Sequence, residues 1–440
     1  MDQRRRRLLQ LAPLTVMGAA ALPREWLPDA GVASVQTQIT GNREILSFSG
    51  QDGGRSRGIY HLPAGPRPKT ALIFMHPRAN MTEHFLAAPL SAGGYGVLGC
   101  ASRWENNDSD ARQEATLLDI AAAIKVLKER FAVDRVVSVG HSGGAALFAF
   151  YQGQAVLQPP RRFSSAPSGD PPDLNKFDLP MLDGSITVNG HRGEGPAFLE
   201  MLDPSIIDEA TPTLIDPSLD MFDPRNGYQD PPSPSRYSQE FLTRYRAAQL
   251  ERHRRLDAKA YAFASEQSAA ASEIRDPSFA RLDVTRRLHL RRQAYHFRYL
   301  VIHGTWASPL FTDLTIDPSD RVVSNAETLN GAPGAQGRTM TARGLLSTWS
   351  GFSSRMLLNE NVANIKAPTL VVAGTADNVI CGREYFEKNF AACDSSDKQL
   401  VWIKGGDHGM LPVKPAAGDR DTQAETAKAI LDWLRPRFST

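Results

Sequence analysis

The sequence predicts an α/β fold: a mainly parallel sheet with helices on both faces, interrupted by a large, mostly helical insertion. Three observations carry this. Short apolar, β-branched runs such as Thr70 to Met75 and Val136 to Val139 alternate with helical stretches, the pattern of a sheet covered on both sides. One such run leads directly into Gly140-His141-Ser142-Gly143-Gly144 and then into the alanine-rich stretch Ala145 to Leu157. Strand, tight turn with a central serine, helix is the setting of a nucleophile elbow; the bland alternative is a turn that happens to carry serine. Finally, the alternation stops near Pro196 and resumes only after Thr339.

At the N-terminus, Arg4 to Arg7 precede Leu8-Leu9, a modest apolar stretch runs from Leu11 to Leu22, and Ala19 to Ala21 lie near its end. This describes an export signal, and the paired arginines resemble the twin-arginine type, which implies a periplasmic or secreted protein. A basic tail or an uncleaved anchor is the alternative. Glu44 to Ser49 and Arg57 to Leu62, joined across Gln51-Asp52-Gly53-Gly54, read as a hairpin. Thr70 to Met75 and Tyr95 to Cys100 are strands, and Ala111 to Phe131 carries apolar residues at helical spacing. Pro159 to Leu182 is a proline-rich loop, and Ser185 to Asn189 reads as the sixth core strand. After the insertion, Met340 to Asn361 is expected as a helix. Pro368 to Gly374 and Gln399 to Ile403 are the last strands, and Thr422 to Phe438 is the closing helix. The expected organisation is 1–34 signal and linker, 35–195 first part of the core, 196–339 insertion, and 340–440 second part of the core.

At 440 residues the chain can bury a large core. Its formal net charge of +2 gives no argument for a nucleic-acid partner. No continuous apolar run reaches about 18 residues, so no stable membrane span is expected. Cys100, Cys381 and Cys393 form no framework of spaced pairs; Cys381 and Cys393 could pair in an oxidising compartment, or all three are inert thiols. The histidines lie singly, without the spacing of zinc ligands, so no metal is expected. No dinucleotide fingerprint opens a helix, so no cofactor is expected.

At the serine turn the chain resembles the α/β-hydrolase superfamily. That resemblance implies a triad in the order serine, acid, histidine, each member following a separate strand. Ser142, Asp377 after the strand Pro368 to Gly374, and His408 after the strand Gln399 to Ile403 match it. Asp407 stands beside His408, but a neighbour on one loop reaches the far ring nitrogen poorly, which favours Asp377. The resemblance also implies two backbone amides that hold the oxyanion. One is that of Gly143. The other comes from the loop His76-Pro77-Arg78, where proline stands in place of a glycine and leaves the amide of Arg78 as the donor in register. The Arg78 side chain either meets substrate or is solvated. His76, His141, and His191 and Arg192 in the loop after the sixth strand, are candidates for substrate contact; His191 also reads as an ordinary loop histidine.

A serine nucleophile counts against the aspartate branches (dehalogenases, epoxide hydrolases) and the cysteine branch (dienelactone hydrolases). The expectation is hydrolysis of a carboxylic ester of a small or medium organic molecule through an acyl-enzyme. Amidase, peptidase, thioesterase and C–C bond hydrolase are readings on the same triad. A noncatalytic binding protein of the same fold is the reading from another class. The insertion is expected to cap the site, with a docking or oligomerisation module as the alternative.

Overall fold

The computed structural model describes residues 38–440 except 41, 231–232, 234, 296–297, 305–336, 378, 380–381 and 415. The expected export signal therefore lies outside the described residues, as does Cys381 and with it any pairing to Cys393. Cys100 and Cys393 are buried thiols.

The hairpin expected near the start is formed by β2 (Arg43–Ser49) and β3 (Arg55–His61), with the short β1 (Gln38–Thr40) on its outer edge. The strands that follow are β4 (Thr70–Phe74), β5 (Gly96–Ala101), β6 (Arg135–His141) and β7 (Gly184–Val188). Later in the chain come β8 (Tyr299–Val301), β9 (Thr339–Thr341), β10 (Thr369–Gly374) and β11 (Lys398–Ile403). Nine of these make one sheet in the order β1-β2-β3-β5-β4-β6-β7-β10-β11, while β8 and β9 pair separately. The pairs from β1 to β5 through β2 and β3 are antiparallel, and every pair from β5 to β11 is parallel.

Burial explains the two halves. β2 alternates exposed and buried residues, as a strand with one wet face must. β4, β7 and β10 are buried at every position, which requires cover on both faces. On one face, α2 (Gln113–Glu129) and α3 (Gly143–Ala155) pack Leu118, Ile124, Leu147 and Phe150 with Ile73 and Leu98. On the other, α1 (Ala87–Ala92) and the closing helix pack Leu90, Ile430 and Trp433 with Leu72, Phe74 and Val139.

The insertion opens with α4 (Glu194–Met201) and continues into α5 (Gln239–Arg275) and α6 (Val284–Tyr295). Phe241, Tyr245, Gln249, Arg252, Leu256, Ala260, Ala264 and Gln267 form the buried stripe of α5 at spacings of three and four. Leu256, Ala260 and Ala264 join Phe198, Leu202, Leu300, Met340, Leu345, Leu346 and Trp349 in one apolar cluster. The insertion has an acidic first half, over 196–234, and a basic second half, and the two meet. Arg252, 1% exposed, pairs with Glu209 at 2.7 Å and donates to the carbonyls of Asp203 and His303.

The helix expected over Met340 to Asn361 is not formed. β9 is followed by a single helical turn at Ala342–Gly344, a π turn at Leu345–Trp349, and a loop to a short turn at Leu358–Asn361. Side chains here are committed elsewhere. Ser347 Oγ accepts from the Gln113 amide and donates to Glu114, and the Thr348 hydroxyl donates to the Ala111 carbonyl. These bonds fasten the segment to the start of α2 and compete with a continuous helix. The remaining core helices, α7 (Arg383–Ala392) and α8 (Thr422–Leu434), flank β10 and β11.

Candidate active site

Ser142 sits between β6 and α3 with φ +56°, a conformation that non-glycine residues rarely adopt. The turn holds because its neighbours have no side chains. A Cβ at Gly140 would lie 2.6 Å from the Ala145 backbone, and one at Gly144 would lie 2.6 Å from the Met75 carbonyl. The Ser142 amide donates to the Val188 carbonyl at 3.0 Å, tying the turn to the end of β7.

Three strand ends converge on the serine. His408 Nε2 lies 2.8 Å from Ser142 Oγ, and His408 Nδ1 lies 2.9 Å from Asp377 Oδ2. Asp377 is 3% exposed, so its charge acts on the imidazole with little screening. Burial works to lower the His408 pKa. The charge and hydrogen bond of Asp377, helped by Asp407 and Glu194, outweigh it and hold the pKa above the ordinary histidine value. Asp407 is engaged within its own loop. Its Oδ1 accepts from the amides of Gly409 at 2.9 Å and Leu411 at 2.7 Å, which folds the segment that carries the histidine.

Two residues outside the expected set hold this geometry. Asn189, at φ +44° and fully buried, donates from Nδ2 to the carbonyls of Asp407 at 2.8 Å and His408 at 3.1 Å. Its Oδ1 accepts from the Gly374 amide at 2.8 Å. One side chain thus joins the ends of β7, β10 and β11. The second is His84. His141 Nε2 faces the His408 carbonyl at 2.7 Å and must carry the proton. His141 Nδ1 therefore accepts from His84 Nε2–H at 2.9 Å, and His84 Nδ1 accepts from the Leu86 amide. Burial, then the neighbouring imidazole, pushes His84 down to about 3, and burial with the nearby His408 pushes His141 down to about 4. Both are neutral near pH 7. With both ring nitrogens committed, His141 supports the catalytic loop and has no ring nitrogen left for a hydrogen bond to substrate. Neither Asn189 nor His84 has a sequence signal, because their partners are hundreds of positions away or on other strands.

The oxyanion side differs from expectation. Gly143 opens α3, where amides lack intrahelical partners, and this suits the role expected of it. The Arg78 amide is already engaged: it donates to His76 Nδ1 at 3.2 Å, alongside the Ala79 amide at 3.0 Å. After Pro77, which has no N–H, the chain wraps these two amides around the imidazole, so Arg78 is not the unengaged donor inferred from register. The Arg78 guanidinium lies 3.6 Å from Glu194 Oε2 and over the Trp349 ring. The Arg192 guanidinium pairs with Glu200 and lies over the ring of Tyr385. His191 and His76 remain beside Gly143; a Cβ on that glycine would lie 3.0 Å from His76 Nε2 and 3.2 Å from His191 Nε2. Glu194, 1% exposed, completes this corner, and its Oε1 has no hydrogen-bond partner among the described residues.

A parallel sheet entered by an antiparallel hairpin carries serine at the strand-to-helix turn after β6, aspartate after β10 and histidine after β11. The chain has the α/β-hydrolase fold. No protein-family model matches the sequence, and no curated protein matches it significantly. Among solved structures it is similar to the α/β hydrolase GrgF from Penicillium sp. sh18, at 13% identity over 90% of this chain and 99% of that one, with a TM-score of 0.49. It is also similar to the siderophore hydrolase EstB from Aspergillus fumigatus, at 14% identity over 93% and 98% of the chains, with a TM-score of 0.38. The esterase domain of a Rhodothermus marinus protein matches at 13% identity over 90% and 98%, with a TM-score of 0.40. Overlaps this loose carry no functional weight; the fold rests on the strand order and the placement of the three residues.

Among the described residues no group of three or more His, Cys, Asp or Glu side chains is arranged to hold a metal ion. No helix among them is long and apolar enough to cross a membrane.

Proposed function

We propose that the chain is a serine hydrolase that cleaves a carboxylic ester of a small or medium organic molecule through an acyl-enzyme. The observation that supports this is the unbroken line of hydrogen bonds from Asp377 through His408 to the Ser142 hydroxyl. His408 takes the serine proton as Ser142 Oγ attacks the ester carbonyl, and Asp377 stabilises the imidazolium that forms. The same imidazole returns the proton to the leaving alcohol, and a water then releases the acyl group by the reverse steps. The insertion over 196–339 acts as a cap that excludes water and selects substrates. A fluorophosphonate probe tests the reading. Covalent labelling of the wild type at Ser142, abolished in Ser142→Ala together with turnover of a panel of esters, is the expected result. A wild type that is neither labelled nor active on esters, amides or thioesters would refute it.

A further inference from the structure

Three polar atoms, one from the loop after β4 and two from the segment after β7, crowd the Cα of Gly143, the residue after the nucleophile. Their distances to the point a Cβ would occupy there are 2.6 Å from Glu194 Oε1, 3.0 Å from His76 Nε2 and 3.2 Å from His191 Nε2. Both imidazoles have a fixed tautomer. His76 Nδ1 accepts from the amides of Arg78 and Ala79, and His191 Nδ1 accepts from the Gly193 amide at 2.9 Å. Each ring therefore presents Nε2–H to the same corner. Burial, first among the causes, lowers both pKa values and keeps the rings neutral.

The three atoms do not satisfy one another. Glu194 Oε1 is 4.0 Å from His76 Nε2 and 3.8 Å from His191 Nε2, too far for a direct hydrogen bond. Each of these two separations suits an oxygen at about 2.8 Å from both partners, on the side away from the Gly143 Cα. That oxygen must accept from two N–H groups and donate to a carboxyl oxygen. A carbonyl has no proton to give, and an ammonium has no lone pair to offer. A hydroxyl does both, as does a water that a substrate hydroxyl would displace.

We propose that the corner formed by His76, His191 and Glu194 is a subsite for a hydroxyl group on the acyl part of the substrate, close to the scissile carbonyl. This rests on the serine-hydrolase reading and narrows its substrate class to hydroxyacyl esters. An acyl chain without the hydroxyl offers no partner to the Glu194 oxygen and the two N–H groups.

The test reads binding without chemistry. In full-length Ser142→Ala protein, calorimetry compares the benzyl esters of 2-hydroxypropanoate and 3-hydroxypropanoate with that of propanoate. One of the hydroxyl esters should bind about 10- to 100-fold more tightly than propanoate, the range of a hydrogen bond to a charged group. Adding Glu194→Met should bring the ratio close to one, whereas Glu194→Gln, which keeps an acceptor, should retain part of it. His191→Phe is the second variant should Glu194→Met fail to fold, and it too should reduce the ratio. Equal binding of all three esters, no binding of the hydroxyl esters, or an unchanged ratio in both variants would overturn the proposal and leave a buried water as the occupant. A failure of the hydrolase reading appears separately, as a wild type that neither turns over esters nor labels at Ser142.

Discussion

His141 donates from Nε2 to the backbone carbonyl of His408 at 2.7 Å, so the residue before the nucleophile holds the loop of the base that activates it. His84 sets the tautomer that makes this possible. Replacing His84 with Phe should lower kcat about 10-fold with little change in KM, because small displacements of a catalytic group are costly. His84→Gln, which restores an N–H donor, should recover most of the loss. Unchanged kcat in His84→Phe, measured by initial rates on an ester that the wild type cleaves, would remove His84 from this role.

Asp377 and Asp407 should separate cleanly by mutation. Asp377→Asn removes the charge facing His408 Nδ1 and should lower kcat by about 10⁴ while the fold is retained. Asp407→Asn should mainly cost stability, about 1 kcal/mol, through weaker bonds to the Gly409 and Leu411 amides. Combining Ser142→Ala with Asp377→Asn should cost little beyond Ser142→Ala alone, since triad members act as a unit. Kinetics and urea denaturation of the same variants check both statements. The reverse pattern would move the acid to Asp407.

The pH dependence of kcat/KM follows from His408. The base must be neutral to accept the serine proton, and Asp377 raises its pKa above the ordinary 6.5. Activity should therefore fall as pH drops through a midpoint above 6.5, and the residual activity of Asp377→Asn should have its midpoint shifted downward. For stability the sign is opposite. A raised histidine pKa contributes stability that is fully present below about 6.5 and is lost as pH rises through the folded-state value. A kcat/KM profile with its acid midpoint at or below that of Asp377→Asn would contradict this assignment.

Arg252 should hold the insertion together. It is buried and pairs with Glu209 from the acidic half while donating to the carbonyls of Asp203 and His303. Arg252→Met leaves those groups unpaired and should destabilise the insertion by about 3 kcal/mol. Hydrogen exchange should rise across α4 and α5 more than in β4 or β6, and the ranking of ester substrates should change while Ser142 still reacts with a small fluorophosphonate. Equal exchange in all of these elements would argue against a local role.

The sequence by itself determined the strands of the main sheet from β2 onward, the serine turn and the three residues that meet there. These depend on local chemistry: β-branched runs for buried strands, glycines flanking a strained serine, and an acid and a histidine directly after the last two strands. It also marked the loop after the sixth strand, which supplies His191 and Glu194. Tertiary structure decided what local pattern could not reach. Met340 to Asn361 has the composition of a helix, yet Ser347 and Thr348 bond to the start of α2 and break it. Arg78 is in register to donate its amide to an oxyanion, yet the fold places the His76 ring where that amide points. Asn189 and His84 carry no motif, because each acts on strand ends or loops that only the folded sheet brings together. Hydrogen-bond partners distant in the chain are chosen by topology, and a side chain's role follows from which partner it finds.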